Sequence, residues 1–149
     1  MKINLRKFGF IDYLRMLRLT LKPETSKELE KTFFGYVISG IKSWFDTTPR
    51  YKFAVLIDGE FAGSIGIYKE KGFYVMGYYV LPEYRGKGIA TNAVRKLFDI
   101  IRSNPNVKVI RAETKENNIP SLRVLRKNGF RMIRRNKRDK GVLFEKRVR

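Results

Sequence analysis

One run limits what this chain can fold into. From Phe73 to Ile101 a strand-like apolar segment is cut by a proline, then followed by a basic glycine turn and a helix-period pattern. Phe73 to Leu81 has the apolar and aromatic content of a strand, and Pro82 stops it because it has no N–H to donate to a ladder. Arg85-Gly86-Lys87-Gly88 makes the turn. Beyond it Ala90, Ala93, Val94, Leu97 and Ile101 recur at three-and-four spacing, which predicts a helix with one buried face and with Arg95 and Lys96 in solvent. Pro105 marks a return loop into a further strand, Val107 to Glu113. A strand-helix-strand crossover requires parallel pairing and a right-handed connection.

Two glycines let backbone come close to a ligand, and the first N–H groups of a helix lack internal acceptors and carry the positive end of its dipole. Arg85, Gly86, Lys87, Gly88, Ile89 and Ala90 are therefore candidates to hold an anionic group. On spacing alone a plain turn and a phosphate cradle fit about equally well. The P-loop is excluded because no Gly-Lys-Ser/Thr ending exists, and the dinucleotide fingerprint because a third glycine is missing.

The remaining elements follow local signals. Ile3 to Phe8 predicts an edge strand. Phe10 to Leu21 predicts a helix with Ile11, Leu14, Leu17 and Leu21 on one side and Arg15 and Arg18 on the other, ended by Pro23. A second helix is expected from Ser26 to Phe45, with Ser26 as N-cap before Leu29, Phe33, Val37, Ile41 and Trp44. Lys52 to Ile57 and Phe61 to Tyr68 flank Asp58-Gly59-Glu60, a strong hairpin signal. Gly77 inside the central strand predicts a bulge or a close backbone approach. A short helix, Asn118 to Lys127, and a hairpin of Phe130 to Ile133 with Val142 to Val148, around Lys140-Gly141, complete the chain. The expected fold is α/β (α+β): a mixed, mostly antiparallel sheet of about six to seven strands around the parallel unit, with helices on both faces. At 149 residues and 43% apolar content, one domain spanning 1–149 is expected.

Arg85-x-x-Gly88-x-Ala90 after a strand ending Leu81-Pro82-Glu83 resembles the acetyl-CoA-binding signature of the GNAT N-acetyltransferases. Downstream, Asn118-Ile119-Pro120-Ser121 with Lys127-Asn128-Gly129-Phe130 resembles the same family's Asn-x-x-Ser/Ala helix ending in Lys-x-Gly-Phe. Gly77-Tyr78 and Ser121 look most like its ribosomal-protein N-terminal acetyltransferase branch. The resemblance implies acetyl-CoA as co-substrate, acceptor-side helices in residues 1–50, a binding core in 73–130 and a C-terminal hairpin in 131–149. It also implies a fourth strand that splays from the fifth, with pantetheine pairing to backbone of Tyr79, Val80 and Leu81. The Val80 N–H would stabilise charge on the thioester oxygen. Glu113, taken as partly buried, would be the general base, with a surface residue paired to Arg111 or Lys115 as the alternative. Asn118, or Asn117 in its place, would bond pantetheine. Many relatives have a tyrosine where this chain has Leu125, so Ser121 becomes the candidate acid, against a plain capping role, with Tyr78, Tyr79 and Tyr74 behind it. Val75 stands where the branch often has an acidic residue, which bears on the acceptor.

With no cysteine and no histidine, disulfides, thiol nucleophiles, imidazole bases and ordinary zinc sites are excluded, and no metal is expected. The net charge of +19 is concentrated in residues 123–149, where twelve basic side chains face only Asp139 and Glu145. Such a field attracts CoA phosphates, nucleic acid and ribosomal surfaces and repels polyamines; a solubilising surface explains the tail equally well. The expected acceptor is a primary amine, first a protein N-terminus, then a lysine or a small molecule; the alternative is a non-catalytic CoA-binding basic module that binds nucleic acid or the ribosome. No long apolar run or signal peptide is present, so a cytoplasmic protein without membrane contact is expected.

Overall fold

The computed structural model describes residues 1–20, 51–70 and 72–149. The helix expected over residues 26–45 lies outside them. The chain divides into two compact units, residues 1–7 with 50–149, and residues 8–49.

The larger unit is a seven-stranded sheet of β1 (Ile3–Lys7), β2 (Tyr51–Ile57), β3 (Glu60–Glu70), β4 (Phe73–Val80), β5 (Val109–Lys115), β6 (Arg131–Asn136) and β7 (Gly141–Arg147). Their order is β1-β2-β3-β4-β5-β7-β6. Every neighbouring pair is antiparallel except β4 and β5, which the crossover helix α2 (Ile89–Ile101) joins in parallel. Asp58 and Gly59 turn the β2-β3 hairpin with positive φ at both positions, 49° and 94°, the twist that matches the flanking strands.

Helix α2 buries Ile89, Ala93, Val94, Leu97, Phe98 and Ile101, close to the face its periodicity predicts. They join Ile65, Ile67, Met76, Ile110 and Phe144 from the sheet in one core. The shorter helix α3 (Ile119–Lys127) adds Leu122 and Leu125, and Phe130 beyond it meets Phe98 edge to face at 5.7 Å. Leu125, where relatives resembling this chain carry a tyrosine, is thus a core residue at 1% exposure.

In the smaller unit, helix α1 spans Phe10–Thr20. Of its expected apolar face Ile11 and Leu14 are exposed, Leu17 and Leu21 lie outside the described side chains, and Asp12 and Met16 are buried. The Asp12 carboxylate accepts the Gly9 N–H at 2.9 Å, with Arg15 at 3.9 Å. That satisfies one donor of the first turn and places negative charge at the positive end of the helix. Among the described residues no helix is long and apolar enough to cross a membrane.

The expected bulge at Gly77 is absent. The β3-β4 register runs unbroken through Gly66 opposite Gly77, from Glu70↔Phe73 to Gly63↔Val80. Irregularities fall instead between Val55 and Leu56 and between Met132 and Arg134. The close approach in this part of the sheet is at Gly63, where a Cβ would lie 2.0 Å from the Tyr79 carbonyl oxygen. No side chain fits there without moving the end of β4. Gly63→Ala is expected to destabilise the fold by about 1–3 kcal/mol, the usual overpacking cost. A thermal melt reads this, and faster hydrogen exchange at the Leu81 amide locates it at the β4 end.

Candidate active site

Strands β4 and β5 pair at only two positions, Tyr74↔Ile110 and Val75↔Arg111. Beyond Val75 they part, while β4 stays paired to β3 as far as Val80. The Leu81 N–H donates to Ala62 at 2.9 Å. Backbone groups alternate sides along a strand, so Tyr79 and Leu81 direct their N–H groups to β3, whereas Tyr78 and Val80 direct theirs into the opening. Of the three residues expected to pair with a pantetheine arm, Val80 therefore offers the N–H. Its carbonyl accepts Arg85 Nε at 3.1 Å.

That bond starts the turn. Pro82–Tyr84 makes one 3-10 turn, Arg85 reaches back to Val80, and the Lys87 ammonium bonds the Glu83 carbonyl at 3.1 Å. Gly86 and Gly88 have φ of 77° and 74°, the left-handed region that glycine adopts without strain. Gly88 is the N-cap of α2, with no side chain capping it, and a Cβ on Gly86 would meet nothing within 4 Å. The exposed basic turn thus leads into uncapped N–H groups at a helix start, which fits the phosphates of a bound nucleotide. Ile89 contributes only backbone here, since its side chain is in the core.

On the helix face of the opening, Tyr78 OH and Ser121 Oγ lie 2.8 Å apart. Burial pushes the Tyr78 hydroxyl above the ordinary 10.0, opposed by its bond to Ser121. Ser121 does not cap its helix with its hydroxyl. Asn118 does that work, its Oδ1 accepting the Ser121 N–H at 3.2 Å, which leaves the Asn118 side-chain NH2 for a ligand. Of the three tyrosines ranked behind Ser121, Tyr78 is the one bonded to it.

Glu113 sits on β5 next to Ala112, whose side chain is in the core, so alternation turns Glu113 to the opposite face. Its charge is felt at Tyr68, whose hydroxyl burial, Glu70 and Glu113 together raise. Glu113 is exposed rather than partly buried as expected. Neither expected partner takes it. Arg111 bonds Glu145 at 3.1 Å and lies 3.5 Å over the Phe73 ring, while Lys115 bonds the Asp139 carbonyl at 2.7 Å. Among the described residues Glu113 forms no ion pair. Gly141, read from sequence only as part of a turn, makes room for it: a Cβ there would stand 2.8 Å from Glu113 Oε1.

These parts define a class: an open α/β sheet with two parted parallel strands, a basic glycine turn at a helix start, hydroxyls on one face of the opening and a carboxylate on the other. Comparison with known proteins gives the family. Residues 3–131 match the family model described as Acetyltransferase (GNAT) domain. An "Uncharacterized N-acetyltransferase p20" of Bacillus licheniformis is 30% identical over 158 aligned residues, covering 97% of this chain and 89% of that protein. Mycobacterium smegmatis RimJ in complex with CoA-disulfide has a TM-score of 0.77 at 23% identity, over 97% of this chain and 81% of that one. The aminoglycoside acetyltransferase AAC(6')-Ib in complex with coenzyme A has 0.74 at 16%, over 98% and 95%. The chain belongs to the GNAT acetyltransferase family.

The Tyr78 shift has a consequence for stability. Its raised value means the folded protein holds this proton more tightly than the unfolded chain does. The contribution is complete below pH 10.0 and is lost as pH rises through the folded value. Unfolding curves at alkaline pH are expected to show wild type losing stability more steeply than Tyr78→Phe, which has no proton to lose.

Proposed function

We propose that the protein acetylates a protein N-terminal α-amine by direct transfer within a ternary complex. The observation that carries this reading is the parting of β4 from β5 with the Val80 N–H in the gap, directly before the Gly86-Gly88 turn. Acetyl-CoA supplies the thioester that the amine attacks. Arg85, Gly86, Lys87, Gly88 and the N–H groups of Ile89 and Ala90 hold its phosphates, and backbone of Tyr78 to Leu81 with the Asn118 side chain orients its arm. Val80 N–H stabilises the negative charge developing on the carbonyl oxygen. Glu113 accepts the proton of the amine, directly or through water. Ser121 gives its proton to the departing thiolate, and Tyr78, held protonated by burial, is placed to restore it. Holding both reactants together supplies much of the rate, so no covalent enzyme intermediate is required.

The acceptor rests on electrostatics. Proteins of this fold named as RimJ, as aminoglycoside acetyltransferases and as a spermidine N-acetyltransferase all superimpose on this chain. A net charge of +19 repels polycations such as aminoglycosides and polyamines far more than an amino terminus carrying one charge. It also suits a cytoplasmic setting among ribosomal or nucleic-acid-associated proteins.

Release of CoA thiol from acetyl-CoA tests the proposal against amino-terminal peptides, lysine peptides, spermidine and an aminoglycoside. Turnover is expected with the amino-terminal peptides, falling about 10²–10⁴-fold in Glu113→Gln, the range for loss of a general base. Acetyl-CoA affinity should stay unchanged in that variant. Ser121→Ala should lower kcat with little effect on KM. Turnover confined to lysine peptides or polyamines would overturn the acceptor, and an unaffected Glu113→Gln would remove Glu113 from its role.

A further inference from the structure

No side chain beyond Ser121 takes part in the chemistry above, and in that last stretch of the chain the structure has a second concavity. A cavity of about 380 Å³ lies between α3 and the β6-β7 hairpin. Leu122, Met132 and Val142 make its apolar floor. Arg126 from α3 and Arg135 from β6 stand at it, with Glu116 and Asn117 also lining it. Pairing places Met132 and Arg135 opposite Phe144 and Val142, both core residues, so their side chains share the helix face of the sheet. The site is formed because β6 is the sheet's outermost strand, and all six of its residues are exposed.

Cations continue on both sides of this groove. The α3 flank carries exposed Arg123, Arg126 and Lys127; on the hairpin Arg135 faces the groove, Lys137, Arg138 and Lys140 stand in the turn, and Arg131 and Arg134, opposite Glu145 and Leu143, face the other side of the sheet. Among the described residues, none of these nine forms an ion pair with a carboxylate; Asp139 is taken by Lys115, and Arg135 Nε rests on Met132 Sδ at 3.3 Å. Glu116 is the single carboxylate at the groove. A compact anion would engage two or three of these cations and leave the others in mutual repulsion. A linear polyanion engages a row of them.

We propose that the groove between α3 and the β6-β7 hairpin docks the phosphodiester backbone of an RNA strand, with Arg126 and Arg135 as its central contacts. Guanidinium groups suit phosphate because their planar fork donates two parallel hydrogen bonds, and they remain charged at any physiological pH. The apolar floor admits sugar and base edges without a matching hydrogen-bond code, so the surface is expected to read backbone rather than sequence. A second copy of this chain fits poorly, because pairing two β6 edges would set six cations of one hairpin against the same six of the other. The proposal is independent of the acetyl-transfer chemistry.

Fluorescence anisotropy with labelled single-stranded RNA, measured on the whole protein over a salt series, tests it. The groove variant is Arg126→Gln/Arg135→Gln. Arg95→Gln/Lys96→Gln on the exposed flank of α2 removes the same charge elsewhere. The slope of log K against log salt should fall in magnitude by about 1.4 in the groove variant, roughly 0.7 for each lost phosphate contact, and stay near wild type in the control. Thermal melts and acetyl-CoA binding report whether the groove variant is folded. If it is not, the single substitution Arg126→Gln replaces it, with a fall of about 0.7 in the slope expected. Equal losses in groove and control variants would show net charge alone and overturn the site. It would equally be overturned by tighter binding of polyglutamate than of RNA, or by a dimer that the groove variant dissociates.

Discussion

The parting of two parallel strands governs this molecule. A parallel pair needs a crossover, and α2 supplies it, packed so closely on the sheet that Val94, Leu97 and Ile101 have no exposed surface. Yet the ladder it serves is only two residue pairs long. Past Val75 the free edge of β4 presents backbone groups that neighbouring strands would otherwise satisfy. Unmatched backbone is costly when buried, so such an edge is either wet or completed by a ligand. The fold tolerates it because β3 holds β4 firmly on the other side, down to the Leu81-Ala62 bond.

The same parting separates the chemistry. Strand alternation sends Tyr78 to the helix face, where it meets Ser121, and sends Glu113 to the other, where its charge reaches Tyr68. A carboxylate and a pair of bonded hydroxyls thus stand on opposite faces of one opening. In a chain with neither cysteine nor histidine, burial and neighbouring charge are the available means of tuning such groups.

Much of this was legible from residue order. The Asp58-Gly59 hairpin, the Pro82 stop, the basic glycine turn and the buried face of α2 all follow from short-range rules, because turn dihedrals and helix periodicity are properties of a few consecutive residues. The candidate site was legible in part, through Arg85, Gly88, Asn118 and Ser121. Three features were not. Gly77 was read as a bulge or a close backbone approach, yet its pairing with β3 keeps a regular register, and the tight position given by the structure is Gly63 on the neighbouring strand. Gly141 was read as turn chemistry, yet it makes space for a carboxylate on β5. On helix α1 Asp12, which bonds the Gly9 N–H, is buried while Ile11 and Leu14 are exposed. A glycine inside a strand signals crowding, but only the partner strand says with what.

By itself the sequence determined the strands, the crossover helix and the C-terminal helix, their order, the necessity of one parallel crossover and the basic glycine turn that opens α2. These rest on interactions within a turn of helix or a single hairpin. Tertiary structure decided how far β4 and β5 stay together, which tyrosine bonds Ser121, that Arg111 and Lys115 find partners other than Glu113, and that β6 lies outermost with a groove beneath it. Each of those depends on the register between strands distant in sequence. A register shift of one residue would exchange every side chain between the two faces of the sheet, and local propensity has no information about it.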